Sequence, residues 1–146
     1  MKPYLLDVNL LIALAWPTHI HHVRARTWFH KNASDGWATC PFTQCAFIRL
    51  SSNAKIIADA VSPQEARAFL IEMVSHKKHV FWPDTIPADD PIFDELLIAG
   101  HRQVTDAFLL ALAIKKKGTL ATIDNGIRSM LSSETLAGKY ITLISE

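Results

Sequence analysis

Short apolar runs and capped, helix-patterned runs alternate along nearly the whole chain, and this alternation limits the fold more than any other feature of the sequence. Tyr4–Leu6, "WATCP" (37–41), "HVFWP" (79–83), "TLATI" (119–123) and "YITLIS" (140–145) have the length and the β-branched or aromatic content of strands. Between them lie helix signals. "DVNLLIALAW" offers Asp7 as cap and is stopped by Pro17, "THIHHVRARTWFHKN" offers Thr18 as cap, and a helix is expected from about Thr43 to Leu50. "SPQEARAFLIEMVSH" carries a full capping box, with Ser62 as N-cap, Pro63 first and Glu65 third. Asp90-Pro91 opens another expected helix, running to about Ala99 before Gly100. "VTDAFLLALAIKKKG" reads as a helix capped by Thr105, with three lysines at its negative dipole end and a stop at Gly118. Strands separated by helices at this spacing predict a three-layer α/β/α sandwich, with about five mostly parallel strands covered on both faces. One domain, 1–146, is expected.

At 146 residues and 49% hydrophobic the chain can bury a core without disulfides or metals as staples. No apolar run reaches the ~18 residues that read as a membrane span, and no small-residue cleavage site follows the first strand. Two cysteines, Cys40 and Cys45, fit a reducing compartment and read as two small buried thiols rather than zinc ligands. The expected location is cytoplasmic. Net charge is only +1, but residues 1–60 are basic, 61–100 acidic and 101–146 basic again, so a face built from the two ends would suit an anionic partner.

In "YLLDVNLLIAL" (4–14) an acid stands where the chain enters the core. An unpaired buried carboxylate costs several kcal/mol, so Asp7 must be capped, paired, cation-bound or at a solvent-facing edge. Two other acids stand in related places, Asp124 just after the strand "TLATI" and Asp106 in the first turn of the helix leading back to it. Singly, each has an ordinary explanation as a helix cap, a dipole complement or an Asp-Asn-Gly turn residue. If the strands ending at Asp7 and Asp124 are neighbours, however, the acids meet at one carboxyl edge of the sheet, where α/β sites form. Clustered carboxylates repel and call for a cation. Oxygen-only ligands point to Mg²⁺, with Mn²⁺ as substitute, and to phosphodiester hydrolysis.

The blocks "YLLDVNLLIALAWPTHIHHVRARTWF", "WATCPFTQCAFIRLSSN" and "VTDAFLLALAIKKKGTLATIDNGI" resemble, in order and spacing, the PIN-domain ribonucleases of the VapC toxin type. The resemblance covers nearly all of the chain except its acidic middle. It implies a PIN-like fold and a Mg²⁺-dependent endoribonuclease, the toxin half of a toxin–antitoxin pair. Its partners would be an RNA substrate, a cognate antitoxin and a second copy in a homodimer, with no membrane role. It maps the family's acids to Asp7, Asp106 and Asp124 as metal ligands, and Asn9 to the polar residue after the first acid. The glutamate that many members carry after strand two corresponds to Gln44, which keeps an acceptor oxygen and loses the charge; it is expected as a fourth catalytic residue, orienting a water or binding Mg²⁺ through its carbonyl. Thr43 and Arg49 are expected beside the site, Arg49 as a phosphate contact or an ordinary ion pair.

His19, His21 and His22 read as a solvated or substrate-facing edge, Lys115–Lys117 as a solvated helix end, and Trp28, Phe29, Trp82 and Phe93 as core or interface aromatics. The apolar residues of 8–52, among them Leu10, Leu11, Ile12, Leu14, Trp16, Phe42, Phe47 and Leu50, exceed what one face hides, so a partner groove is expected near the site. A haloacid-dehalogenase-type phosphatase would need an acid at Asn9, and a receiver domain would need its acceptor acid after a different strand. The remaining alternative is a weakened PIN-like domain that binds RNA or protein without cutting.

Overall fold

In the computed structural model, which describes residues 2–83 and 85–144, five short strands form one sheet: β1 (Tyr4–Leu6), β2 (Trp37–Thr39), β3 (His79–Phe81), β4 (Thr119–Thr122) and β5 (Ile141–Leu143). Every pairing is parallel and the order is β3-β2-β1-β4-β5. β1 is central, with Tyr4 opposite both Trp37 and Thr119. Because successive side chains of a strand point to opposite faces, Leu5 and Leu6 enter different cores. Leu5 joins Ala38, Leu120 and Ile141 under α5 (Val104–Lys115) and α6 (Glu134–Tyr140). Leu6 joins Trp37 and Ala121 under α1 (Val8–Ala15), α2 (His22–Asn32), α3 (Pro41–Ser51) and α4 (Pro63–Val74). This is the expected three-layer α/β/α sandwich.

The helix starts differ from the sequence expectations in instructive ways. Thr18 caps nothing; α2 begins after His21, and residues 17–21 are turns. α3 begins at Pro41, not Thr43. Pro41 takes the first position, where its missing N–H is harmless, and Thr43 stands third, its hydroxyl accepting from the Cys40 amide at 2.9 Å. Likewise α5 begins at Val104, with Thr105 inside its first turn. The stretch after Asp90 forms only a 3₁₀ turn, Pro91–Glu95, because the Leu97 amide is drawn off to the Met130 carbonyl at 2.8 Å. Helix α6 was not expected. It is seven residues long, contains Gly138 and buries only Ala137, so it has almost no apolar period to read; Ser133 caps it. Tyr140 closes α6 rather than opening β5, and Ser145 lies outside the described residues. Cys40 is buried as expected, but Cys45 is exposed.

Capping of α4 matches expectation, with Ser62 Oγ accepting from the Glu65 amide and Glu65 reaching back to the Ser62 amide. Lys115, read as solvated, pairs with Asp90 at 3.3 Å. No helix among the described residues is long and apolar enough to cross a membrane.

The junction of α5 and β4 fixes the sheet's central register. The chain leaves α5 through Lys117 in the left-handed region (φ 58°), and Gly118 then passes so close to β1 that an added Cβ would lie 2.5 Å from the Pro3 carbonyl oxygen. That neighbour is backbone and cannot swing aside. Gly118→Ala is therefore expected to destabilise the fold by about 1–3 kcal/mol, seen as a lower midpoint in urea unfolding with an unchanged slope.

Candidate active site

The chain runs from β1 to β2 and β3 on one side, then returns to β4 and β5 on the other, so the strand order reverses between β1 and β4. Crevices open at the carboxyl ends of strands at such a reversal. Asp7 follows β1 directly. Its amide donates to the Ala121 carbonyl of β4 at 3.1 Å, and its side chain caps α1, Oδ1 accepting from the Leu10 amide at 2.8 Å. Its ordinary explanation as a cap thus holds, and it also stands at the sheet's switch point. It is 3% exposed.

The second oxygen reveals a residue the sequence reading missed. The Thr122 hydroxyl donates to Asp7 Oδ2 and accepts from the Asp124 amide at 2.9 Å. Thr122, the buried last residue of β4, therefore holds the first acid and sets the turn carrying the third. Its signal was available in retrospect as a hydroxyl two residues before an acid at a strand end. Asp124 is exposed, and its Oδ1 accepts from the Gly126 amide at 2.8 Å. Asp106, half-buried, stands in the first turn of α5.

A crevice of about 170 Å³ brings Asp7 and Asp106 together with Asn9, Arg49, Ala46 and Thr105. Asp124 is close enough to repel both other acids. Burial foremost, then repulsion from Asp106 and Asp124, pushes the Asp7 carboxyl up from an ordinary 3.8 to about 7, against the lowering effect of the Thr122 and Leu10 hydrogen bonds. Asp106 is also raised, by burial and then by Asp124.

Helix α3 presents its residues to this crevice differently from expectation. Phe42, Ala46, Arg49 and Leu50 line it. Gln44, about 200° round the helix from Phe42 at ~100° per residue, stands outside that lining. Its Nε2 donates to the buried Thr39 hydroxyl at 3.0 Å, and Thr39 Oγ1 lies 2.7 Å from His79 Nε2. Thr43 is fully buried, with its hydroxyl held by Cys40. The structure thus gathers Asp7, Asn9, Arg49, Asp106 and Asp124 at one edge and turns Gln44 and Thr43 elsewhere. Arg49 makes no ion pair among the described residues.

Among the described residues no three acidic, histidine or cysteine side chains converge tightly enough to enclose an ion by themselves. The donors that do face the crevice are oxygens, and their mutual repulsion is the feature a divalent cation relieves. Such a donor set fits Mg²⁺, which takes one or two carboxylates and keeps several waters.

A family model for the PIN domain matches residues 4–130. Fold and site together define a PIN domain. Over 123 residues the chain is 47% identical to Ribonuclease VapC38 of Mycobacterium tuberculosis, covering 84% of this chain and 86% of that one. It is 42% identical over 130 residues to Ribonuclease VapC39 of the same organism, covering 88% and 94%. Among solved structures, VapBC2 from Rickettsia felis bound to a DNA fragment from their promoter superposes with a TM-score of 0.66 over 98% of this chain and 99% of that one. At 12% identity this is a likeness of fold alone. The chain belongs to the VapC branch of the PIN-domain family.

The raised Asp7 carboxyl has a consequence for stability without metal. Between pH 4 and pH 7 the folded protein keeps a proton that the unfolded chain has released, so stability falls with rising pH by about 1.4 kcal/mol per unit. Below that window the penalty vanishes; above it the penalty is constant. In EDTA, Asp7→Asn is therefore expected to be more stable than wild type at pH 8, and that advantage is expected to shrink as pH is lowered to 4. Urea unfolding across that range measures it.

Proposed function

We propose that this protein is a Mg²⁺-dependent endoribonuclease, the toxin of a cytoplasmic toxin–antitoxin pair, cutting RNA phosphodiester bonds at Asp7, Asp106 and Asp124. The observation that carries this reading is a buried carboxylate at the sheet's switch point, repelled by two others and not ion-paired among the described residues. When bound, the metal supplies an activated water and neutralises charge on the transferring phosphate. The chain's own residues do the rest. Thr122 and the Leu10 amide fix the orientation of Asp7, and the Gly126 amide fixes Asp124. Arg49, exposed at the crevice and making no ion pair among the described residues, is placed to hold a backbone phosphate, with Asn9 also in the lining. Thr43 closes the start of α3 onto Cys40, and Gln44 anchors that start to Thr39 of β2. The identity of the VapC relatives over most of both chains supports the activity.

For the antitoxin we assign the groove of about 470 Å³ between α1, α2 and α4, floored by Leu14, Phe29, Trp37 and Phe69 and edged by Arg26 and Glu72. Of the apolar residues expected to form a groove near the acids, only Leu14 lines this one; Leu10, Leu11, Ile12 and Phe47 are buried in the core, and Phe42 and Leu50 line the acid crevice. For homodimer contact we assign the exposed patch of Phe42, Val104 and Phe108.

Titrating Mg²⁺ and Mn²⁺ in RNA cleavage assays tests the reading. Asp7→Asn is expected to lose at least two orders of magnitude of activity, and Arg49→Ala to raise KM while leaving the metal midpoint in place. Gln44→Glu is expected to leave that midpoint unchanged as well. Undiminished cleavage by Asp7→Asn would refute the acidic site, and a wild type inert with both metals would favour a domain that binds without cutting.

A further inference from the structure

A groove of about 600 Å³ between the outer side of α2 and the end of β5 shares no lining residue with the acid crevice or the α1–α2–α4 groove. Its composition is unusual. Arg24 and Lys31 line it, and among the described residues no Asp or Glu does. Arg24 makes no ion pair among the described residues. One of its terminal nitrogens sits 2.8 Å from His21 Nδ1, while its Nε is buried without a partner, the one such side-chain atom among the described residues. A desolvated guanidinium nitrogen left unpaired carries a penalty that an incoming acceptor removes.

Beside this cation stand two aliphatic side chains in water, Ile20, 88% exposed, and Val23, 76% exposed. The opposite wall is Leu143 and Ile144 at the end of β5. β5 is the last strand of the sheet and has a neighbour on one side only. An edge strand offers main-chain hydrogen bonds to an extended chain, and flanking pockets read its alternate side chains. RNA suits the groove less well. Aliphatics offer nothing to a sugar–phosphate backbone, and the aromatic in the lining, Trp28, is already engaged edge-on with Tyr4 at 4.9 Å.

We propose that the α2–β5 groove is a second docking surface, which takes an extended segment of a partner protein bearing one carboxylate between aliphatic residues. The carboxylate meets Arg24, with Lys31 adding charge at the rim, and the flanking side chains cover Ile20 and Val23. This surface is independent of the RNA-cleaving reading and of the groove assigned to the antitoxin.

The test is selection of a random heptapeptide display library on the full-length protein, followed by fluorescence anisotropy with the enriched peptides. The expected consensus is an Asp or Glu flanked by Val, Ile or Leu. Its affinity is expected to fall at least tenfold when the peptide acid becomes an amide, and equally on Arg24→Gln. Val23→Asp, at a position with no packing role, is expected to repel the same peptides and guards against misfolding of the arginine variant. Enriched peptides without an acid, or binding indifferent to both protein variants, would overturn the proposal. So would a single-stranded oligouridine whose binding alone depends on Arg24, or self-association of the protein that Arg24→Gln abolishes.

Discussion

Burial of the Asp7 carboxylate between β1 and β4 is the constraint on which the rest of the site depends. It is held by a side-chain hydrogen bond from Thr122 and by the amide of Leu10, so it joins the central sheet pair to the first helix. Those two bonds are insufficient to keep it ionised in the isolated protein; burial and two neighbouring acids outweigh them. A fold that only needed a helix cap would have been served by serine or asparagine at that place. The acid makes the free protein less stable near neutral pH and leaves an unmet demand for positive charge. Stability withheld at a functional site in this way is common where binding has to restore it.

The same strand order explains why the acids come together from such distant parts of the chain. Asp7 and Asp124 are 117 positions apart in sequence, yet both follow strands that pair residue for residue, Leu6 opposite Ala121. Thr122 then bridges them through one hydroxyl that both donates and accepts. Asp106 arrives on the first turn of α5, the helix that packs over β1 and β4 before Gly118 admits the chain to the sheet beside Pro3.

Much of this was legible in the sequence. Five strand-like runs became five strands, and the two acids after strand ends pointed to one edge because parallel sheets bring carboxyl ends together. What was not legible depended on tertiary contact. Thr43 looks like a cap by residue type, but the proline two positions earlier fits the first turn, which moves the threonine inside the helix. α6 lacked an apolar period because α5 and the sheet bury only one of its residues. Gln44 was placed at the site by correspondence with a glutamate, but the turn of α3 sends it to Thr39 and leaves Ala46 and Arg49 facing the acids. Thr122 escaped notice because a threonine in a strand is ordinary, and only the pairing of β1 with β4 shows what its hydroxyl holds.

The central claim is that Asp7 is a buried acid poised for a cation, and a ¹³C-observed NMR titration of its side-chain carboxyl tests it most directly. In the metal-free protein the account predicts a midpoint near pH 7. Saturating Mg²⁺ is expected to pull that midpoint down by about two units or more, because an adjacent cation favours the ionised form. A midpoint near the ordinary 3.8 without metal, or one that Mg²⁺ leaves in place, would contradict the account.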